Sequence, residues 1–260
     1  MFTRAMVFAA GFSALAFGCG ADQPRDSADD TQEIIDNLIQ AGFPADDIMV
    51  VDGTVWAGRD SAVTLQSSRE MLQPDPASDG KEQFRTSNLV SRNLANICVN
   101  GAAFTGSFST ALNGAIANYN ALGLTFRMTR TSGSTAGCNA VITARTASGT
   151  GGSSGFPSGG VPFNTINIGT GLTSFSVNTI KHVITHELGH TVGFRHSDFF
   201  NRSISCGTGG NEGDGGVGAI LIPGTPSTAV VGGSIMNSCF RSVETGAFTS
   251  SDITALTTLY

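Results

Sequence analysis

The chemistry in this sequence concentrates in one run, His186-Glu187-Leu188-Gly189-His190-Thr191-Val192-Gly193-Phe194-Arg195-His196. On a helix, residues four apart lie about 40° apart around the axis and about 6 Å along it. His186 and His190 can therefore direct a ring nitrogen each to one point. Gly193 can take the left-handed conformation that reverses a chain after a helix end, and so return His196 to that point. Three neutral imidazoles with a fourth position left open are the donor set of a catalytic zinc ion, at N–Zn distances of about 2.0–2.1 Å. Glu187 points about 100° away from His186, beside such a metal and free to act as a base. The run fits H-E-x-x-H-x-x-G-x-x-H at every defined position, a far more restrictive pattern than H-E-x-x-H alone.

A helix must carry these residues, and the sequence predicts one over 176–192. Ile180, Ile184 and Leu188 fall on another face and can anchor it in a core. Gly189 in mid-helix costs about 1 kcal/mol against alanine, which implies close packing beneath the site. Further strands are predicted over 94–99, 124–129, 140–144 and 165–168, and helices over 108–122 and 250–259. The Gly/Ser-rich run 148–160 reads as irregular. Strands alternating with helices give an α/β domain. Ahead of it, Asp30-Thr31-Gln32-Glu33 has the form of a capping box opening a short helix, with Gly42 as its C-cap. A strand over 48–55 and a helix over 61–72 follow. The polar run from Gln73-Pro74-Asp75-Pro76 to Arg85 reads as an exposed linker.

Charge supports this partition. The 260 residues are 40% hydrophobic with a net charge of −6, enough for a real core and unsuited to nucleic acid as the main partner. Residues 22–90 carry 14 acidic and 5 basic side chains, and residues 91–260 carry 6 and 8. The chain thus divides into 1–20, an acidic α+β unit with its linker over 21–90, and a nearly neutral body over 91–260. The first 20 residues read as an export signal, with Arg4, an apolar stretch over 5–17 and then small residues. Ala16-Phe17-Gly18-Cys19 approximates a lipobox in which Cys19 is lipidated, the one route to a membrane; an ordinary signal-peptidase cut near Gly18 to Ala21 is the alternative. Of the three pairings open to Cys98, Cys138, Cys206 and Cys239 in an exported protein, Cys98–Cys138 and Cys206–Cys239 are favoured, since each closes a loop within one half of the body. Each would contribute roughly 4 kcal/mol in the chain-entropy model.

The zinc motif, together with Ser234-Ile235-Met236-Asn237-Ser238 as a Met-turn candidate, resembles the metzincin metallopeptidases. Within them the chain resembles the dual-action HEIGH metallopeptidases of the protease B type. His196-Ser197-Asp198, Ile222-Pro223-Gly224-Thr225-Pro226 and Gly155-Phe156-Pro157-Ser158 add to the likeness, which covers most of 91–260 and, more weakly, 32–72. Leu188 stands where the family name has isoleucine. The resemblance implies a metzincin-like domain with a twisted, mostly parallel sheet, an active-site helix and a Met-turn, preceded by a prosegment. It also implies hydrolysis of peptide bonds in peptide or protein substrates.

In that reading Zn2+ is held by His186, His190 and His196, Glu187 is the general base, and Met236 forms an apolar floor beneath the histidines. With Asn237-Ser238 after the methionine and no tyrosine there, the metal is expected to carry most of the oxyanion stabilisation. His182, one turn before His186, reads as a surface histidine. Asp198 either supports a zinc ligand through a hydrogen bond or caps a turn. Glu212 and Asp214, in the Gly-rich loop 206–218, read as solvated rather than as a calcium site. That loop, pinned to the Met-turn by Cys206–Cys239, is expected to wall the cleft, with an extended peptide pairing on an edge strand near 155–158. No cysteine follows Cys19 in the prosegment, so Asp60 and Asp52 are the candidates to cap the metal, against a folding helper that never touches it. Activation would then require cleavage within 81–92. A surface-anchored zinc-binding module without turnover is the rival to a secreted endopeptidase.

Overall fold

A computed structural model of the chain describes residues 28–72, 83–213, 219–226 and 228–260. The export signal with Cys19, most of the linker and Asp214 lie outside them. The N-terminal unit comprises α1 (Ala28–Gln40), a 3-10 turn, β1 (Ile48–Val51), β2 (Thr54–Ala57), β3 (Ser61–Val63) and α2 (Leu65–Met71). The body comprises β4 (Phe84–Arg85), β5 (Asn96–Asn100), α3 (Gly106–Asn120), β6 (Arg127–Thr131), β7 (Ala140–Ala147), β8 (Gly152–Gly155) and β9 (Thr165–Gly169), then α4 (Val177–Thr191), α5 (Ser203–Cys206), β10 (Ile220–Leu221) and α6 (Ser250–Leu259).

Eight strands form one sheet in the order β1-β2-β3-β8-β9-β7-β5-β6. Strands β9, β7, β5 and β6 run parallel, and β8 lies antiparallel along the edge of β9. The fold is thus mixed α/β, as expected from the alternation of strands and helices. A core of Ile97, Val99, Ile142, Ile166 and Ile168 from the sheet packs against Leu112, Ala115 and Tyr119 of α3 and Ile180, Ile184 and Leu188 of α4. The N-terminal unit has its own small core, in which Ile34, Leu38, Val55 and Met71 gather round Phe156 of the body. Burial of Phe156 there ties the two units together.

Several local expectations are corrected. The single strand over 48–55 is a hairpin, with Asp52 and Gly53 both at positive φ (51° and 79°) between β1 and β2. The helix over 61–72 starts only at Leu65, capped by Thr64, because Ser61 and Ala62 pair with Ser154 and Gly155 of β8. The run 148–160 is not wholly irregular, since it contains β8. The linker does not extend to Arg85: Gln83 is buried, bonded to Ser234 and Asp252, and β4 pairs with β10.

Both expected disulfides are present, Cys98–Cys138 and Cys206–Cys239. The first joins β5 to the chain entering β7. The second ties α5 to the segment after Met236. Among the described residues no helix is long and apolar enough to cross a membrane.

Candidate metal centre

Helix α4 is set by Ser176, whose side chain accepts from the Thr179 N–H, and it ends in a Schellman motif. There the Gly193 N–H donates to His190 O (2.9 Å) and the Phe194 N–H to Gly189 O (3.0 Å), with Gly193 at φ 107°. This is the reversal that the glycine permits. Beyond it the chain is held against β4, with Arg195 N–H donating to Phe84 O at 2.9 Å, and His196 comes back to the helix.

The three imidazoles converge. His186 and His190 Nε2 lie 3.0 Å apart, and tetrahedral zinc ligands at about 2.0–2.1 Å from the ion are about 3.4 Å from one another. Each ring is fixed from behind through Nδ1. His186 donates to Ile235 O (2.8 Å), His190 to Phe194 O (2.8 Å) and His196 to Glu212 Oε1 (2.7 Å). These three bonds assign the proton to Nδ1, so three Nε2 lone pairs face one another in a buried space. A cation between them removes that repulsion, and the donor set therefore fits zinc.

Asp60 completes the cluster from the N-terminal unit. Its carboxylate oxygens lie 3.0 Å from His196 Nε2, 3.8 Å from His190 Nε2 and 4.0 Å from His186 Nε2. One donor atom from each of the four residues falls within 4.8 Å of all the others. His196 Nε2 has no partner of hydrogen-bonding geometry despite the 3.0 Å approach, which suits two ligands side by side on one ion. Of the two acidic candidates, Asp60 is at the centre, whereas Asp52 occupies the β1–β2 turn.

Electrostatics follow the burial. Burial holds the pKa of His186 down to about 4 and that of His190 well below its ordinary value. Burial also opposes a charge on His196, but Asp60 and Glu212 on its two sides outweigh it and raise that pKa. Asp60 is desolvated, yet the imidazoles, His196 foremost, hold its carboxyl below the usual range. Burial, then the charge of Asp60, pushes Glu187 well up.

Glu187 is buried beside the cluster, with Oε2 lacking a hydrogen-bond partner. It lies against Gly152, where a Cβ would come within 2.3 Å of Oε1. Ser154 on the same strand donates its hydroxyl to Glu187 O at 3.0 Å, fastening the sheet edge to α4. Met236 packs under the helix: a Cβ on Gly189 would meet its sulfur at 2.6 Å. The turn around Met236 is held by Asp252, which accepts from Ile235 N–H (3.0 Å) and the Ser234 hydroxyl (2.6 Å).

Two sequence expectations fail here, those for Glu212 and His182, and of the two alternatives left open for Asp198 the turn-holding one is seen. Glu212 is not solvated: it is 1% exposed, accepts from His196 and faces Arg202 Nε at 3.2 Å. Asp198 does not bond an imidazole; its carboxylate accepts from Ser205 and Ser238, joining the His196 loop to the Met236 turn. His182 is not on the surface but 3% exposed. The carboxylate behind His196 is instead that of Glu212, sixteen residues beyond it, where no local pattern marks it. Arg195, fully buried, stacks on Phe43 of the N-terminal unit (4.3 Å) and Phe199 (5.1 Å).

No curated protein sequence matches the chain. Among solved structures, that of myroilysin is similar with 13% identity and a TM-score of 0.41, over 66% of this chain and 95% of that one. High choriolytic enzyme 1, a hatching enzyme zinc-protease of the medaka fish Oryzias latipes, is similar with 17% identity and a TM-score of 0.41, over 72% and 98%. The profile of the dual-action HEIGH metallopeptidases matches residues 55–260, a span that takes in Asp60 and the histidine cluster. The chain belongs to the dual-action HEIGH metallopeptidase family, and zinc is its metal.

Proposed function

We propose that the chain is an exported zinc endopeptidase made as a latent precursor, with His186, His190 and His196 as metal ligands and Glu187 as general base. The convergence of three Nε2 atoms, each ring oriented by an Nδ1 hydrogen bond, carries this reading. Zinc held there would lower the pKa of a water to about 7 and polarise a carbonyl oxygen. Glu187, whose Oε2 has no hydrogen-bond partner, would accept the proton of the attacking water and return it to the leaving amine nitrogen. Gly152, by lacking a side chain, lets the substrate edge of the sheet approach that carboxylate.

Residues 28–72 serve as the prosegment. β3 covers the edge of β8 in a parallel sense, so an extended peptide has no edge to pair with while β3 is in place. Asp60 stands at the histidine cluster where the water is needed. Activation then requires a cut within 73–82, ahead of the buried Gln83 and Phe84, rather than anywhere up to Arg92. The two disulfides suit an oxidising compartment; lipidation of Cys19 and free secretion are the two routes to it.

The test is hydrolysis of an unfolded protein by the zinc-loaded chain cut within 73–82. Glu187→Ala should lower kcat by about 10²–10⁴-fold, the usual span for a general base, with zinc still bound. The buried, unpartnered Oε2 of Glu187 favours turnover over a zinc-binding module. A wild type that holds zinc and has lost 28–72 yet cuts no unfolded protein would reinstate the module.

A further inference from the structure

A fully buried glutamine needs partners for its amide, and those of Gln83 lead to the metal site. Its backbone is anchored first. The N–H donates to Thr225 Oγ1 (3.3 Å), and the carbonyl accepts from Ile222 N–H (2.8 Å). The side-chain nitrogen then donates twice, to Ser234 Oγ at 2.7 Å and to Asp252 Oδ1 at 3.0 Å. A carboxylate oxygen only accepts, so the amide must turn its NH2 to Asp252.

From there the bonds continue to the histidines. Ser234 accepts from Met236 N–H (2.8 Å) and donates to Asp252 Oδ1 (2.6 Å). Asp252 Oδ2 accepts from Ile235 N–H at 3.0 Å, and Ile235 O accepts from His186 Nδ1 at 2.8 Å. Met236 O accepts from Ser197 N–H at 2.7 Å, next to His196. The turn 234–236 thus touches the His186 ring directly and the chain beside His196. Asp252 is buried, and the donors that hold it, from Gln83, Ser234, Ile235 and Thr249, are all uncharged. A buried carboxylate held by neutral donors is costly to leave short of one. Of these four residues, Ser234 and Ile235 belong to the turn and Thr249 caps α6. Gln83 comes from the other end of the body and bridges the two.

We infer that Gln83 is a positioning residue for the metal site: by bridging Ser234 and Asp252 it fixes the 234–236 turn, and with it the Ile235 carbonyl that orients the His186 ring. An imidazole whose outer partner shifts loses both its tautomer and its direction towards the metal. Leucine or glutamate at position 83 keeps a similar shape and donates nothing to Asp252. Glutamate also sets a second buried negative charge beside it. The inference rests on the histidines holding zinc and not on turnover, so a chain that binds zinc and cuts nothing leaves it standing.

The test is NMR of the ring Nδ1–H groups in the zinc-loaded, uncut chain, with zinc release to a chelator followed alongside. His190 is the internal reference, because its Nδ1 bonds to Phe194 O and not to the turn. In Gln83→Leu and Gln83→Glu the His186 Nδ1–H should exchange with water about ten-fold faster, the equivalent of one hydrogen bond to a charged group, while His190 Nδ1–H is unchanged. Zinc release should quicken by about ten-fold, the low end of the cost of losing a ring's outer partner. Gln83→Glu combined with Asp252→Asn reverses donor and acceptor, since the amide at 252 then donates to the carboxylate at 83. That double variant should recover the wild-type His186 signal and slow zinc release again. No change at His186 in the single variants, equal disturbance of His186 and His190, or a double variant no better than Gln83→Glu overturns the assignment. Where the single variants do not fold, the double variant decides. A folded chain with the wild-type His186 signal supports the assignment, and a displaced signal or no recovery of the fold overturns it.

Discussion

Replacing Glu212 with glutamine tests how the third imidazole is held. Glu212 Oε1 accepts from His196 Nδ1 at 2.7 Å, and the same carboxylate faces Arg202 Nε at 3.2 Å and Arg195 at 3.6 Å, all within a buried cluster. Glu212→Gln keeps the shape but removes the charge. The amide must then set its NH2 towards either His196 Nδ1–H or the guanidinium groups, and both are donors. Losing such a supporting partner costs about 10–100-fold in metal affinity, equivalent to about 1.4–2.8 kcal/mol. The metal-free chain should lose more, about 3–5 kcal/mol, because the buried Arg195 is left with too little negative charge. Competition with a chelator measures the first quantity, and denaturant unfolding without metal measures the second. Zinc affinity within two-fold of wild type would refute the claim that Glu212 sets the His196 tautomer, even if stability fell.

Asp60→Ala should let the uncut, zinc-loaded chain cleave a small peptide at least ten-fold faster than wild type; no gain would mean that β3 alone, or nothing in 28–72, enforces latency. Gly152→Ala should keep zinc but cut kcat, because its Cβ would come within 2.3 Å of Glu187 Oε1; unchanged kcat would separate Glu187 from the proton transfer. Acid should destabilise the fold through His182, whose buried pKa is about 4 against an ordinary 6.5. Between those values the unfolded chain binds the proton and the folded one does not, so stability falls as pH drops from about 6.5 to 4. The contribution is about 3 kcal/mol from a shift of that size; in denaturant titrations of the metal-free chain, His182→Phe should reduce this slope, the part due to His186 and His190 remaining, and an equal slope in both proteins would contradict the assignment.

The convergence of the three histidines, the carboxylate beside them and both disulfides were legible because the physics behind them is local or combinatorial. Helical spacing fixes His186 and His190, a glycine reversal returns His196, and four cysteines allow few pairings. Beyond that the sequence was less explicit. Strand β8 is Gly-Ser-Ser-Gly, with no β-branched residue to announce it, and it is a strand because β9 and β3 flank it. Ser61-Ala62-Val63 continues smoothly into a helical pattern, so only pairing with β8 separates β3 from α2. The Asp52-Gly53 turn, by contrast, lies between two apolar runs and is a hairpin signal that was available. His182 misleads because a polar residue near a helix start suggests solvent, whereas α4 is buried almost all round. Glu212 depends on a fold of the chain between Phe199 and Gly213, including a bond from Glu212 N–H to Phe199 O, and no spacing rule encodes that.

X-ray absorption at the zinc edge on the purified, uncut chain tests the account most directly. The expected result is one zinc per chain with three imidazole nitrogens and carboxylate oxygen at about 2.0–2.2 Å, one nitrogen being lost in His196→Ala and the oxygen signal altered in Asp60→Ala. A chain that retains no zinc after dialysis, or a spectrum with fewer than three imidazoles or with sulfur ligands, would contradict it.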